Sequence, residues 1–344
     1  MSNAQTPSSE NVPPVQQMMT MMAGFWVSRG LYAAATLGLA DLLTMPKPVA
    51  EIAKATGTQV RPLYRLLRAL ASVGIFSERA DGSFENTPLS DTLRTDAPQS
   101  LRYTTMSELG LTHFGPWGEI LQSLKTGGPS FDHVFGMPVF DWFAKNPERS
   151  AIFNKSMLEL TAMVEPAVLE AYDFSSCGPT IADIGGGHGG LLARILTKHT
   201  NLRGIVFDAA NVVAGAPDVL RSAGVADRCT TASGNFFEAV CGGADTYLMK
   251  HIIHDWDDAK CQRILQNCHR VMKPSAKVVM VDQVVSGRNE PSLAKWSDLL
   301  MMLIPGGAER TAEEFDKLLA SAGFKLTRIV ATKSPVSVIE GQRV

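Results

Sequence analysis

Apolar residues follow three rhythms along the chain. From 18 to 43, MMTMMAGFWVSRGLYAAATLGLADLL, they occupy nearly every face of a predicted helix, and a helix apolar all round must be buried. The first hundred residues hold little core to cover it, so a second subunit is expected there, with methionines supplying adaptable packing. Between 47 and 95 the pattern predicts a helix around Pro48–Ala55, a turn at Gly57 and a second helix from Pro62 to Val73. Pro62 suits the first turn of that helix and Gly74 its stop. IFSERADGSFENT then reads as two short strands about Asp81-Gly82. Two helices and a hairpin make a winged helix.

Residues 100–175 predict helices broken at Gly115-Pro116 and Gly127-Gly128-Pro129, with a dense set of aromatics from Trp117 to Phe153. Most are expected in the core, although such a cluster also suits a pocket for a flat ligand. From 180 onward strands alternate with helices: TIADI (180–184), a helix over 191–197, GIVFD (204–208), DTYLMK (245–250), a helix over 258–271 and AKVVMVD (276–282). That alternation predicts a parallel sheet covered on both faces. A helix at 311–322 and the strands LTRIVAT and PVSVIEG close the pattern as an antiparallel pair. Ligands of such sheets sit beyond the C-terminal ends of the strands.

These rhythms divide the 344 residues into a polar leader at 1–17, expected to be disordered, a winged-helix region at 18–100, a helical connector at 101–172 and an α/β domain at 173–344. Charge removes some function classes. Thirty-two Lys and Arg against 34 Asp and Glu leave a net charge of −2, so the surface as a whole is not built for nucleic acid. Over 47–95 seven basic and five acidic residues leave only +2, and Arg61, Arg65 and Arg68 read as a solvated helix face. No run of 18 apolar residues suggests a membrane span. The leader has no apolar core of a signal peptide, and five scattered cysteines without a CxxC pair point to reduced thiols in a cytosol.

The segment Asp183-Ile-Gly-Gly-Gly-His-Gly-Gly190 carries the chemistry. Gly185, Gly187 and Gly190 match the dinucleotide pattern GxGxxG, with Asp208 placed as a ribose carboxylate. Gly185, Gly187 and Gly189 match equally the DxGxGxG of nucleoside-binding methyltransferases. Spacing does not separate the two, but charge does. Asp183 would repel a pyrophosphate at close range and attract the sulfonium of S-adenosylmethionine; at about 4 Å the difference in sign is worth roughly 4 kcal/mol each way at an effective dielectric near 20. A capping role for Asp183 is the plainer alternative.

Beyond the loop, ADIGGGHGG, FDAANVV, GNFFEAV, YLMKHIIHDWDDAKCQRIL, NCHRVMKP and PGGAERTAEEF stand in order and spacing over residues 18–344. The chain thereby resembles the O-methyltransferase family that includes plant caffeic acid and acetylserotonin methyltransferases and bacterial polyketide-tailoring enzymes. The resemblance implies an α/β fold, a Rossmann-like S-adenosylmethionine-dependent domain with a mostly parallel seven-stranded sheet, preceded by a helical winged-helix domain that makes a homodimer. It implies that Gly185 and Gly187 lie under the methionine moiety, Asp208 takes the ribose hydroxyls, Gly234, Asn235 and Phe236 meet the adenine, and Lys250 touches the cofactor. His254 becomes the general base, Asp282 and Glu309 the acids beside it, and Asn154, Met157 and Met301 acceptor-pocket residues.

Two positions depart from the family pattern. Asn235 stands where Asp is usual, keeping a carbonyl acceptor that can face an adenine amino group. Asp282 stands where Glu is usual, one methylene shorter, so its contact with His254 is expected to be weaker or water-bridged. His251 with His254 spells H-x-x-H, followed by Asp255, Asp257 and Asp258. Acids on a turn that opens a helix are expected to be solvated, His251 to be structural, His188 to face solvent, and no metal to be held.

The reaction expected is methyl transfer to a hydroxyl of an aromatic or polyketide-like small molecule. A phenol near pKa 10 and an ordinary histidine near 6.5 make complete proton transfer uphill by roughly 5 kcal/mol, so removal is expected in concert with attack. The alternatives are a cofactor-binding relative diverted to hydroxylation or decarboxylation, a nicotinamide-dependent oxidoreductase, and a winged-helix DNA-binding regulator. No nucleic acid or membrane partner is expected.

Overall fold

The computed structural model describes residues 12–344, so most of the polar leader, 1–11, lies outside the described residues. Helix α1 (Pro14–Leu37) begins inside the stretch read as leader, because Pro14 is preorganised for a first turn. It ends earlier than the apolar run suggests: Gly38 takes the left-handed conformation at φ 64° and stops it.

The chain forms two units, the first running to Gly110 and the second from Leu111 to Val344, so the predicted 101–172 connector is shared between them. In the first unit, β1 (Lys47–Pro48) precedes α2 (Val49–Thr56) and α3 (Val60–Ala71), and the hairpin β2 (Phe76–Glu78) and β3 (Ser83–Asn86) follows. The strands run antiparallel in the order β1-β3-β2. Leu63, Leu67 and Leu70 of α3 sit one helical turn apart and are buried with Ile52, Phe76 and Phe84. Arg61, Arg65 and Arg68 lie on the exposed face, as the pattern predicts. On α1 the apolar positions Met18, Met19, Met21, Met22, Phe25 and Trp26 are exposed, Trp26 by 69%.

The second unit is built on a seven-stranded sheet in the order β6-β5-β4-β7-β8-β10-β9. Its strands are β4 (Thr180–Ile184), β5 (Arg203–Asp208), β6 (Cys229–Ser233), β7 (Thr246–Lys250), β8 (Lys277–Gln283), β9 (Phe324–Ala331) and β10 (Val336–Arg343). The first five pair in parallel and β10 runs antiparallel to both neighbours. The order reverses between β4 and β7, which places the topological switch at their C-terminal ends. Strand β6, CTTAS, is an edge with three of its five side chains exposed, so no apolar run announced it.

Successive residues of β4 feed opposite faces: Ile181 joins one core, with Leu192 and Val279, and Ala182 the other, with Tyr247 and Met280. The helices that position the site are α4 (Pro147–Ala171), α5 (Gly190–Lys198), α6 (Asp258–Val271), α7 (Leu293–Leu303) and α8 (Ala312–Ser321). Most of the aromatics expected in the core are there: Phe131 and Phe143 are buried with Leu303, and Phe135, Trp142 and Phe153 pack against them. Phe140 is the exception, partly exposed with its ring 5.3 Å from Trp256.

Candidate active site

The glycine loop leaves β4 at the switch point. Gly185 and Gly187 have φ of 70° and 58°, a region L side chains rarely adopt, and a Cβ at Gly185 would overlap Ile252. The Gly185 N–H donates to the Phe207 carbonyl at 2.8 Å, and the Gly187 N–H to Asp208 Oδ2 at 2.8 Å. Asp208 Oδ1 accepts from the Ala209 N–H at 2.6 Å. Burial raises the Asp208 pKa, while these two backbone donors oppose the shift. Asp208 therefore locks the loop as well as facing the space above it.

Asp183, one residue before the end of β4, is buried, and that burial pushes its carboxyl up to about 7 despite the opposing charge of Lys250. Lys250 closes β7, and burial holds its amine below the ordinary lysine value. A cavity of about 390 Å³ opens at the end of β6, lined by Phe207, Ser233, Gly234, Asn235, Glu238 and Cys241 among others. A Cβ at Gly234 would lie 2.6 Å from the Phe207 ring, so only glycine fits. Asn235 is anchored by its own turn. Its carbonyl accepts from the Phe237 N–H at 3.0 Å, which leaves one lone pair of the oxygen, and its amide donates to Glu238 at 3.1 Å. Phe236 packs against Phe237 and Trp256.

The second half of the site follows β7. His254 lies in a single 3₁₀ turn, Ile253–Asp255. Its Nδ1 is 2.9 Å from Glu309 Oε1, and Oε1 also accepts from Ser297 Oγ at 2.6 Å and Gln283 Nε2 at 3.3 Å. Asp282 Oδ1 is 3.9 Å from the same Nδ1, beyond hydrogen-bond reach, and neither of its oxygens has a partner. The weaker contact expected of the shorter acid is therefore what the geometry has. Burial raises the Asp282 pKa to about 7, with His254 opposing.

Asp255 departs from the expected solvated acid. Its Oδ1 lies 3.6 Å from His254 Nε2, its side chain is mostly covered, and burial lifts it to about 6. Asp257 does cap α6 through the Lys260 N–H, and Asp258 pairs with Arg310 at 2.7 Å. For His254, burial alone would lower the pKa. The Glu309 hydrogen bond and the charges of Asp255, Asp282 and Glu309 reverse that and raise it to about 9. His188 is half-buried rather than solvent-facing, because its ring covers Gly215.

Asn154 and Met157 lie half-buried three residues apart on α4, and the neighbouring Leu158 abuts Gly190 at the head of α5. The carbonyl of Met301, on α7, accepts from the N–H groups of Gly306 and Gly307 at 2.9 and 3.1 Å. A Cβ at Gly307 would overlap the His254 carbonyl, which accepts from Ala308 N–H at 2.9 Å. Arg310, buried, donates to the carbonyls of Ile253, Trp256 and Ala308 at 2.9–3.1 Å. Sequence reasoning overlooked Ser297, Gln283 and Arg310; only the charge adjacent to Glu309 in GGAERT hinted at the last. Among the described residues no group of three or more His, Cys, Asp or Glu side chains is arranged to hold a metal ion, and no helix is long and apolar enough to cross a membrane.

The O-methyltransferase domain model matches residues 117–325, and the O-methyltransferase dimerisation domain matches 19–96. The chain belongs to the O-methyltransferase family. Within this family it is 40% identical over 332 residues to phenazine O-methyltransferase PhzM of Lysobacter antibioticus, covering 96% of this chain and 97% of that one. It is 37% identical to O-demethylpuromycin-O-methyltransferase of Streptomyces alboniger, covering 94% and 88%. The crystal structure of human N-acetylserotonin methyltransferase in complex with S-adenosylmethionine superposes with a TM-score of 0.89 at 26% identity, over 98% of this chain and 99% of that one.

Proposed function

We propose that this S-adenosylmethionine-dependent O-methyltransferase methylates a hydroxyl of a flat aromatic or polyketide-like molecule, with His254 as general base. The observation that carries the reading is the 2.9 Å contact of His254 Nδ1 with Glu309, which leaves Nε2 as the nitrogen free to meet an acceptor. The aromatic specificity of the relatives supports the acceptor class, and a fused-ring phenol of the phenazine type is the first candidate.

The residues at the strand ends fit S-adenosylmethionine, which when bound supplies an electrophilic methyl on a sulfonium. Burial holds the Asp183 carboxyl near 7 against the opposing charge of Lys250, and a positively charged ligand beside it would favour its ionised form. Asp208 spends one lone pair of Oδ2 on Gly187 of the loop and one of Oδ1 on the Ala209 N–H, and the remaining pairs suit a ribose diol. Gly185, Gly187, Gly234, Asn235, Phe236 and Lys250 complete the cradle. Asn154, Met157 and Met301 are assigned to the acceptor side.

His254 takes the acceptor's proton at Nε2 as the new bond forms. A histidine raised to about 9 reduces the mismatch with a phenol to about one pK unit, roughly 1.4 kcal/mol. Alignment of the reactants supplies the larger part, up to about 7–11 kcal/mol. Glu309 stabilises the imidazolium directly and Asp282 through space. The exposed apolar face of α1 supports a homodimer made through the N-terminal unit.

The test is transfer of labelled methyl from S-adenosylmethionine to a panel of hydroxyphenazines, anthraquinones and flavonoids. Methylation of a phenol by the wild type, slowed steeply in His254→Ala, is expected. Binding of the cofactor without transfer to any hydroxyl would favour a diverted relative.

A further inference from the structure

One hydrogen bond fixes a point on an imidazole but not its plane. The 2.9 Å contact of His254 Nδ1 with Glu309 holds one edge of the ring and leaves a limited pivot about the Cβ–Cγ bond, within the tolerance of that hydrogen bond, which moves Nε2. Asp255 does not stop the pivot, since 3.6 Å is too long for a hydrogen bond. Asp282 makes no hydrogen bond either. What does lie against the ring is His251. The two imidazoles are nearly parallel, 18° apart, with centroids separated by 5.1 Å.

His251 is itself held from three sides. Its backbone N–H donates to the Val281 carbonyl on β8 at 3.1 Å. Its Nδ1 accepts from Lys250 Nζ at 3.2 Å, which places its own ring proton on Nε2. Its φ is +54°, one of two non-glycine residues with positive φ among the described residues. Histidine tolerates that region better than most residues, yet the conformation remains costly and persists only where surrounding structure imposes it. The chain accepts this turn at the residue whose ring must come back over His254.

We infer that His251 is a positioning residue: its neutral imidazole forms a rigid wall that sets the plane of His254 and so the direction of Nε2. Burial first, and then the charges of Lys250 on one side and His254 on the other, oppose protonation of His251, so a proton received at Nε2 of His254 stays with His254 and its carboxylates. The inference rests on the reading of His254 as base.

Two variants separate its parts. His251→Asn suits a positive φ and offers an acceptor to Lys250, but it has no ring. His251→Phe keeps a ring and gives up the acceptor. His251→Asn should lower kcat at least tenfold, with KM for the phenol, S-adenosylhomocysteine affinity and Tm close to wild type. His251→Phe should retain kcat within about threefold. Undiminished kcat in His251→Asn overturns the inference, as does a matching loss of cofactor affinity or Tm, or a His251→Phe enzyme as slow as His251→Asn. His254→Ala is measured beside them. Its full activity would remove the base reading and the wall with it, whereas a slow His254→Ala with a wild-type His251→Asn removes the wall alone.

Discussion

Glu309 Oε1 lies 2.9 Å from His254 Nδ1, while the equally buried Asp282 stops 3.9 Å away. The two acids beside the histidine are therefore not equivalent. Glu309 holds the ring, supported by Ser297 and Gln283 on the same oxygen, and Asp282 contributes charge without a hydrogen bond.

His254→Ala should lower kcat by about 10²–10⁴-fold, the range typical of a positioned base. Affinity for S-adenosylhomocysteine by calorimetry should stay within about twofold of wild type, because a group acting only in the transition state leaves ground-state binding intact. An equal loss of cofactor binding would contradict the assignment.

The pH–rate profile should rise on the alkaline side of neutrality. His254 must be unprotonated to act, and its folded-state value of about 9 lies above the ordinary 6.5. The same shift carries a stability term that is fully present below the unfolded value and lost as pH climbs through about 9. Glu309→Gln should move the rising limb down toward the ordinary histidine value. A wild-type limb at or below 6.5 would refute this account.

Asp208→Ala removes the acceptor for two backbone N–H groups, that of Gly187 in the glycine loop and that of Ala209. Leaving charge-assisted bonds unmade costs about 1.5–3 kcal/mol, so S-adenosylhomocysteine should bind at least about tenfold more weakly. Turnover at saturating cofactor should fall far less than in His254→Ala.

Gly307→Ala places a Cβ against the His254 carbonyl, where backbone must move. Overpacking of this kind costs about 1–3 kcal/mol. A lowered kcat with near-normal S-adenosylhomocysteine affinity is the expected pattern, and wild-type kinetics would show that the contact is unimportant.

Met22→Asp combined with Trp26→Asp puts two charges on the exposed apolar face of α1. Light scattering should show the wild type as a dimer and the double variant as a monomer. A dimer that survives both charges would place the interface elsewhere.

The local code of this chain is unusually direct. Alternating apolar runs and turn residues announced most strands of the α/β domain, and the helix over 258–271 was read to the residue. β6 was missed because an edge strand buries little and needs no apolar run. The helix Leu293–Leu303 was missed because it buries little, Ala294 and Leu303 being its buried residues. The start of α1 was placed late because polar side chains at its N-terminus hide a helix that Pro14 opens.

By itself the sequence determined the sheet, the glycine loop at its switch point, the charge that favours a sulfonium, and the histidine and acids worth suspecting. Those are properties of residue type and short spacing, which survive in one dimension. Only the tertiary structure decided which acid holds His254, that the Asn235 carbonyl meets the Phe237 N–H, that Asp255 is covered rather than solvated, and that the His251 ring lies nearly parallel to that of His254. Each depends on ångström distances between residues brought together from separate strands and loops, or on a backbone angle. A difference of one ångström there divides a hydrogen bond from a mere neighbour.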